Sequence, residues 1–145
     1  MDLFTHPSRS QLVFEGRLTK TDGAAYANAY VVTLTNNNIM HLYNNITYKP
    51  SGQTIESITN PGQATTTLGL LKYPGDFAKA QGINQLWHKD TNATASTDNK
   101  GFKYRHLCII QTPGENGTFS FSIPLSHIFG FCDDYKKIVY GSGIP

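Results

Sequence analysis

The sequence predicts a mainly β protein, an antiparallel jelly-roll-type β-sandwich with one or two short helices. Only 15% of the residues are charged. The polar surface is supplied instead by Asn, Thr, Ser, Gln and Gly, which suit β-surfaces and loops better than helix surfaces. Short segments of alternating apolar residues are separated by turn residues. The 145 residues are therefore expected to form one jelly-roll-like domain, able to fold without a metal or a disulfide.

Four strands are predicted in the first half of the chain. Residues 11–18 alternate between apolar and polar side chains, as a half-buried strand does. Residues 30–34 are aromatic or β-branched for the most part and predict a buried strand. Residues 45–49 and 53–58 predict a hairpin across Pro50-Ser51-Gly52, where the glycine can adopt a positive φ.

Two short helical segments are predicted beside these strands. Residues 39–43 have apolar spacings that favour a single helical turn. In residues 63–71, Ala64, Leu68 and Leu71 recur at spacings of four and three, which predicts a short amphipathic helix. The region 76–100 ends in a polar run and predicts a long exposed loop.

The second half of the chain predicts a further hairpin and a short last strand. Residues 102–111 and 118–123 are predicted strands that flank a turn at 112–117. Residues 124–131 indicate a strand running into a short helix, with Ser126 as a candidate N-cap. A strand that starts at residue 136 has only about five residues, so the domain is expected to be incomplete at its C-terminal end.

Two pairs of residues were weighed as metal or catalytic sites. On a strand, His106 and Cys108 point the same way and could share a metal, but no further Cys or His nearby completes a tetrahedral set. Cys132 and His127 are five apart, a poor spacing for a thiol and its base. No cofactor or metal site and no catalytic residue is therefore predicted, and an enzyme that uses Cys132 or Cys108 is the least supported alternative.

The adjacent acidic residues Asp133 and Asp134 resemble a catalytic carboxylate pair only superficially. Neighbouring positions on a helix or a strand point in different directions. We therefore interpret the two carboxylates as part of a helix cap or a solvated turn.

Charge and hydropathy limit the partners. The net charge is only +2, and the one basic cluster, Lys100, Lys103 and Arg105, alternates with Phe102 and Tyr104. Nucleic acid is therefore expected to bind weakly if at all. No apolar run is long enough for a membrane span, and residues 1–7 lack the pattern of a signal peptide. Synthesis in the cytosol is expected.

Two blocks of sequence carry a resemblance to a known family. Residues 119–131 (FSFSIPLSHIFGF), followed by residues 134–141 (DYKKIVYG), form one block, and residues 51–58 with 60–74 form the other, with residues 86–91 (LWHKDT) between them. Together they resemble the double-jelly-roll major capsid-like proteins of Polinton-like and adintovirus-like elements. The resemblance spans residues 11–141.

This resemblance implies a structural, self-assembling capsid-like protein without catalysis, located in a virion if the chain is viral and encoded by an endogenous viral element. This chain would correspond to the N-terminal jelly roll of the family. The chains of that family normally continue into a second jelly roll. The implied partners are other copies of the chain, with a trimer favoured, and other capsid components. An incomplete sandwich would expose strand edges, and we expect assembly at Lys136, Ile138 and Tyr140.

A ligand-binding β-sandwich, either lectin-like or peptide-binding, is the alternative function. An aromatic side chain can stack on a sugar or a peptide, and a polar loop can supply hydrogen bonds. The candidate ligand surface consists of Tyr73, Trp87, Asp90 and Asn92.

Overall fold

The computed structural model describes residues 3–94, 96, 98–110 and 117–141. Its strands are β1 (Leu3–Thr5), β2 (Gln11–Arg17), β3 (Asn45–Tyr48), β4 (Glu56–Thr59), β5 (Thr118–Pro124) and β6 (Val139–Gly141). Its α-helices are α1 (Asn38–His41), α2 (Pro61–Lys72), α3 (Lys100–Ile109) and α4 (Gly130–Asp134). Short 3₁₀ helices occupy Pro7–Arg9, Pro50–Gly52, Phe77–Lys79, Gln81–Gln85 and Leu125–His127.

The predicted mainly β jelly-roll sandwich is wrong. The strands form three two-stranded sheets, β1 with β6, β2 with β5, and β3 with β4. A sandwich needs two larger sheets that face each other, and the described part of the chain contains none. Helices and irregular segments occupy much of the sequence that was predicted as strand.

The largest error lies at residues 102–111, which were predicted as a strand but belong mostly to α3. The buried positions of this helix are Phe102, Arg105, His106 and Ile109, at the i, i+3, i+4, i+7 spacing of one helix face. Two of them are polar, so the apolar periodicity of a helix is hidden. The predicted hairpin is therefore wrong in its first strand, and its turn lies largely outside the described residues.

The predicted buried strand at residues 30–34 is also wrong, since this segment is irregular and Tyr30 and Val31 are exposed. Two of its backbone carbonyls accept hydrogen bonds from side chains rather than from a neighbouring strand. The Arg105 guanidinium donates to the Leu34 carbonyl over 2.9 Å, and His106 Nδ1 donates to the Val32 carbonyl over 2.8 Å. β-branched composition alone could not reveal these distant donors.

Several local predictions are confirmed. β2 and β5 lie where alternation predicted strands, and α1 and α2 lie where helical spacing predicted helices. β3 pairs antiparallel with β4, and Gly52 between them has a φ of 81°. The last strand, β6, begins three residues later than predicted, at Val139. Ser126 lies inside a 3₁₀ turn that has no side-chain cap, so its N-cap assignment is wrong.

The chain divides into two compact units. Unit 1 contains residues 1–12, 39–73 and 122–145, and unit 2 contains residues 13–38 and 74–121. The buried core of unit 1 includes Ile39, Met40, Ile123, Ile128, Phe129 and Cys132. The buried core of unit 2 includes Phe77, Leu86, Trp87, Phe102, Ile109, Ile110 and Phe121. Among the described residues, no helix is both long and apolar enough to cross a membrane.

Candidate functional site

The apolar side of helix α2 in unit 1 faces outward. Ala64, Thr67, Leu68 and Leu71 follow the i, i+3, i+4, i+7 spacing and form one side of the helix, which we call the α2 stripe. Leu68 is 51% exposed and Leu71 is 80% exposed. The spacing predicted this side of the helix but not where it points. The stripe is therefore an apolar surface that the described residues of unit 1 leave exposed.

The opposite side of α2 is buried although it is built from small residues, namely Pro61, Gly62, Thr65 and Gly69. At Gly62, an added Cβ would lie 2.8 Å from the Cα of His41, so only glycine permits the observed approach of helix and neighbouring chain. The Thr65 hydroxyl donates a hydrogen bond to the Pro61 carbonyl over 2.7 Å. The close approach on this side fixes which side of the helix points outward.

The outward surface of α2 carries no charge along most of its length. Residues 61–71 include no Asp, Glu, Lys or Arg. The helix has one charged residue, Lys72, whose ammonium group pairs with the Asp133 carboxylate at 2.7 Å. This pairing lowers the pKa of Asp133 and raises that of Lys72. Exposed helix surfaces usually carry Glu and Lys, whereas the centre of a protein interface is depleted of charge.

A small cavity of about 260 Å³ lies beside the C-terminal half of the stripe. Leu68 belongs both to the stripe and to the lining, which also includes Tyr73, His127 and Ile128. The Tyr73 and His127 rings are 5.2 Å apart between centroids. Burial, and then the nearby Asp133, raise the pKa of Tyr73 to about 12. The Tyr73 hydroxyl therefore stays neutral at physiological pH, and since Lys72 and Asp133 compensate each other, the cavity favours an uncharged occupant.

The residues predicted as an assembly edge lie at or just before β6. Lys136 is exposed and Ile138 is 62% exposed. Tyr140 is paired with Phe4 of β1, so one side of the strand is used within the chain. These residues are distinct in sequence from the α2 stripe and stay a prediction as an assembly contact.

In unit 1, the carboxylate of Glu56 binds the N-terminal end of helix α4. The two oxygens of Glu56 accept the backbone N–H groups of Gly130 and Phe131 at 3.0 and 2.9 Å, which are the first residues of α4. Cys132 follows in the same helix and is fully buried. Burial, and then the Glu56 carboxylate, raise the pKa of its thiol.

In unit 2, the guanidinium of Arg105 connects helix α3 to two segments that are distant in sequence, one at residue 34 and one at residues 88–90. It donates to the carbonyls of Leu34 and His88 and pairs with the Asp90 carboxylate at 2.8 Å. Arg105 is only 2% exposed, so these acceptors compensate its loss of hydration. The basic cluster predicted from Lys100, Lys103 and Arg105 is therefore reduced to its two lysines, because α3 buries Arg105.

Asn99 organises the predicted polar loop. Its Oδ1 accepts the backbone N–H groups of Thr91 and Phe102, and its Nδ2 donates to the carbonyls of Asn92 and Thr94, all between 2.9 and 3.4 Å. Asn99 is thereby the N-cap of α3. Residues 95 and 97 of this loop lie outside the described part.

The predicted ligand residues have other roles within the described chain. Trp87 is 2% exposed and belongs to the core of unit 2. The Asp90 carboxylate pairs with Arg105, and Asn92 Oδ1 accepts the Thr94 backbone N–H. Tyr73 belongs to unit 1 and the other three to unit 2. Their use as one ligand surface stays a prediction with little support.

The residues weighed as a metal pair do not face each other. On helix α3, His106 and Cys108 are two positions apart and point to different sides. Nδ1 of His106 is engaged by the Val32 carbonyl, and partial burial raises the pKa of the Cys108 thiol. Among the described residues, no group of three or more His, Cys, Asp or Glu side chains could hold a metal ion.

Comparisons with protein-family models, with curated proteins and with solved structures found no match to this chain. The family resemblance therefore rests on the quoted sequence blocks alone.

Sequence reasoning missed two organising residues, Arg105 and Asn99. Arg105 was hidden because its acceptors lie 71 and 17 positions away along the chain. Asn99 did carry a local signal, since an asparagine directly before a helical segment is a preferred N-cap. That signal was lost once residues 102–111 had been interpreted as a strand.

Proposed function

We propose that this chain is a structural protein that assembles with copies of itself, and that the α2 stripe is the contact between copies. The outward position of Leu68 and Leu71 on a helix surface without charges carries this proposal. Apolar surface of this kind on a folded protein commonly marks an interaction site.

Covering the stripe contributes favourably to the free energy of association. Full burial of one leucine side chain stabilises by about 1.5–3 kcal/mol. Leu68 and Leu71 are each at least half exposed, and a symmetric contact buries both of them from each copy. The absence of charge along residues 61–71 also means that little hydration of ionic groups is lost on contact.

A second copy is a suitable occupant because the surface is self-complementary. Leu71 projects outward beside the 260 Å³ cavity that Leu68 helps to line. In a two-fold arrangement, Leu71 of each chain can enter the cavity of the other, which is the reciprocal geometry of an isologous interface. Lys72 and Asp133 beside the cavity neutralise each other, so the cavity can accept an apolar side chain such as Leu71.

The family resemblance extends the proposal to a capsid-like component. Because the jelly-roll sandwich is wrong, α2 replaces the edges of a sandwich as the proposed contact between copies. The exposed Ile138 beside β6 offers a second contact for larger assemblies. The trimer implied by the resemblance stays a prediction. Electron microscopy of concentrated protein checks the capsid-like role, with regular shells or arrays as the expected result.

The decisive experiment is light scattering coupled to size exclusion across the micromolar range. A chain of 16.0 kDa is expected to approach twice that mass or more as its concentration rises. The double variant Leu68→Ser/Leu71→Ser should remain a monomer, because both apolar side chains of the contact are lost.

Leu70→Ser is the matched control. Leu70 is 52% exposed on the same helix, but it lies two positions from Leu68 and so points to a different side. Its variant should associate as the unmodified chain does. A chain that stays at 16.0 kDa at every concentration would refute the proposal, as would equal loss of association in both variants.

A further inference from the structure

An open groove of about 620 Å³ lies within unit 2. Its volume is within the range of about 300–1,000 Å³ found for small-molecule sites. Ile83 and Pro74 contribute apolar surface, the buried Trp87 lies behind the floor, and the face of α3 that carries Tyr104 and Cys108 forms one wall. The groove therefore has the apolar lining that a small organic ligand requires.

Three lysines line this groove, and no acidic residue does. Lys79, Lys89 and Lys100 come from a 3₁₀ helix, an irregular segment and the first position of α3. All three are exposed, and within the described part of the chain none forms an ion pair. The nearby Asp90 is already paired with Arg105. A local excess of positive charge therefore surrounds an apolar surface.

The groove also presents a flat aromatic surface. The His88 and Tyr104 rings are stacked with 5.4 Å between centroids and an interplanar angle of 25°. Burial, and then the nearby Arg105 cation, lower the pKa of His88, so its ring is neutral at physiological pH. Two stacked rings can extend their stack with one more flat group.

The wall formed by α3 is held firmly in place. An added Cβ at Gly101 would collide with the backbone of Lys89 and Asp90, so the helix lies directly against that segment. The guanidinium of Arg105, one helical turn further along, donates to the His88 carbonyl. The positions of Lys89, Lys100 and Tyr104 around the groove are thus fixed by contacts within unit 2.

We propose that this groove binds a small organic anion with a flat apolar body, such as an aromatic carboxylate or sulfonate. The apolar floor and the stacked rings hold the body, and the three ammonium groups attract the charge. Lysine acts as a point charge without the planar fork of arginine, so the groove selects for negative charge and not for the geometry of a phosphate.

The test uses two probes that differ by one charged group, 1-anilinonaphthalene-8-sulfonate and the neutral N-phenyl-1-naphthylamine. Fluorescence titration should show tighter and saturable binding of the sulfonate, weakened by added salt. Trp87 is the one tryptophan in the chain and lines the groove, so quenching of its emission reports the same event.

Two triple variants separate local from total charge. Lys79→Gln/Lys89→Gln/Lys100→Gln should weaken sulfonate binding on the order of tenfold, within the range expected for three exposed pairings, and leave the neutral probe unaffected. Lys49→Gln/Lys103→Gln/Lys137→Gln removes the same number of exposed charges outside the groove and should change neither affinity. Gly75 lines the groove with open space around its Cβ position, so Gly75→Leu should reduce binding of both probes.

Competition experiments identify the class of anion. Unlabelled 1-naphthoate should displace the sulfonate probe. Inorganic sulfate at equal ionic strength should not displace it. Titration of the Leu68→Ser/Leu71→Ser variant separates the groove from the α2 stripe, and its sulfonate affinity should be unchanged. Equal affinity for the two probes, equal losses in the two lysine variants, or displacement by inorganic sulfate would each overturn the proposal.

Discussion

The two longest helices of the described chain distribute their residues in opposite ways. Helix α2 of unit 1 points leucines outward and buries Gly62, Thr65 and Gly69. Helix α3 of unit 2 buries Arg105 and His106 and exposes Tyr104 and Leu107. Each departs from the common helix pattern of apolar residues inside and charged residues outside.

The two helices differ in how the buried polar residues of α3 and the exposed leucines of α2 are compensated. The buried polar groups of α3 find acceptors inside unit 2, at Val32, Leu34, His88 and Asp90. The exposed leucines of α2 find no cover within the part of unit 1 that the structure describes. Unit 2 is therefore internally complete around its helix, whereas the surface of α2 favours contact with another chain.

The helix starts show the same contrast. Asn99 caps α3 with its side chain, whereas Asn60 begins α2 in the left-handed region, with a φ of 52° and no side-chain cap. Pro61 then occupies the first position of α2, where a missing N–H has no cost. One asparagine acts through its side chain and the other through its backbone conformation.

The largest effect is expected when Arg105 loses its charge. Arg105→Met should lower the free energy of unfolding by about 3–5 kcal/mol, because the Leu34 and His88 carbonyls and the Asp90 carboxylate lose their donor. Urea unfolding followed by Trp87 emission measures this in unit 2 itself. Lys103→Met on the exposed side of α3 should change stability by less than about 0.5 kcal/mol. Similar losses in both variants would show that Arg105 has no special role.

A smaller effect separates the two asparagines. Asn99→Ala should destabilise the protein by about 1–2 kcal/mol, because it removes a cap and leaves backbone groups unpaired. Asn60→Gly should be neutral or stabilising by a few tenths of a kcal/mol, since glycine adopts a positive φ without strain. Thermal or urea unfolding of both variants measures the difference. If Asn60→Gly is the more damaging change, the contrast between the helix starts is wrong.

The sequence was informative where side-chain chemistry and local conformation agree. Helix α2 and the β3–β4 hairpin follow from apolar spacing and from Gly52, all within a few residues. The orientation of α2 does not follow, because it depends on the approach of Gly62 to His41, about twenty positions away. Hydrophobic spacing predicts which side of a helix is apolar, but contacts distant in sequence decide where that side points.

Helix α3 could not be predicted by the same reasoning. Its alternation of Lys103, Tyr104 and Arg105 is equally typical of an amphipathic strand. Burial of Arg105 becomes favourable only once distant carbonyls surround it. The jelly-roll prediction was wrong largely because α3 and residues 30–34 satisfy each other through side-chain donors and backbone acceptors. The groove could not be predicted for the same reason, since the close approach of α3 at Gly101 brings Lys100 next to Lys89.

The smallest predicted effect concerns pH and compares a histidine in each unit. Burial lowers the pKa of both His88 and His127, but the next largest influence on His88 is the Arg105 cation, which lowers it further, whereas the Asp133 carboxylate opposes the shift at His127. The unfolded chain therefore binds protons more readily than the folded one as the pH falls through about 6.5. Stability should be fully present above that pH and decrease below it.

The free energy of unfolding should accordingly fall between about pH 7.5 and about pH 5.5, a window in which unperturbed carboxylates stay ionised. His88→Gln removes a group that must charge during acid unfolding, so its stability should depend less on pH whatever its absolute value. His127→Gln should flatten the dependence less, because Asp133 already favours the charged ring. Urea unfolding at the two pH values measures both slopes. A slope in His88→Gln that equals the slope of the unmodified chain would show that unit 2 accommodates a charged histidine beside Arg105.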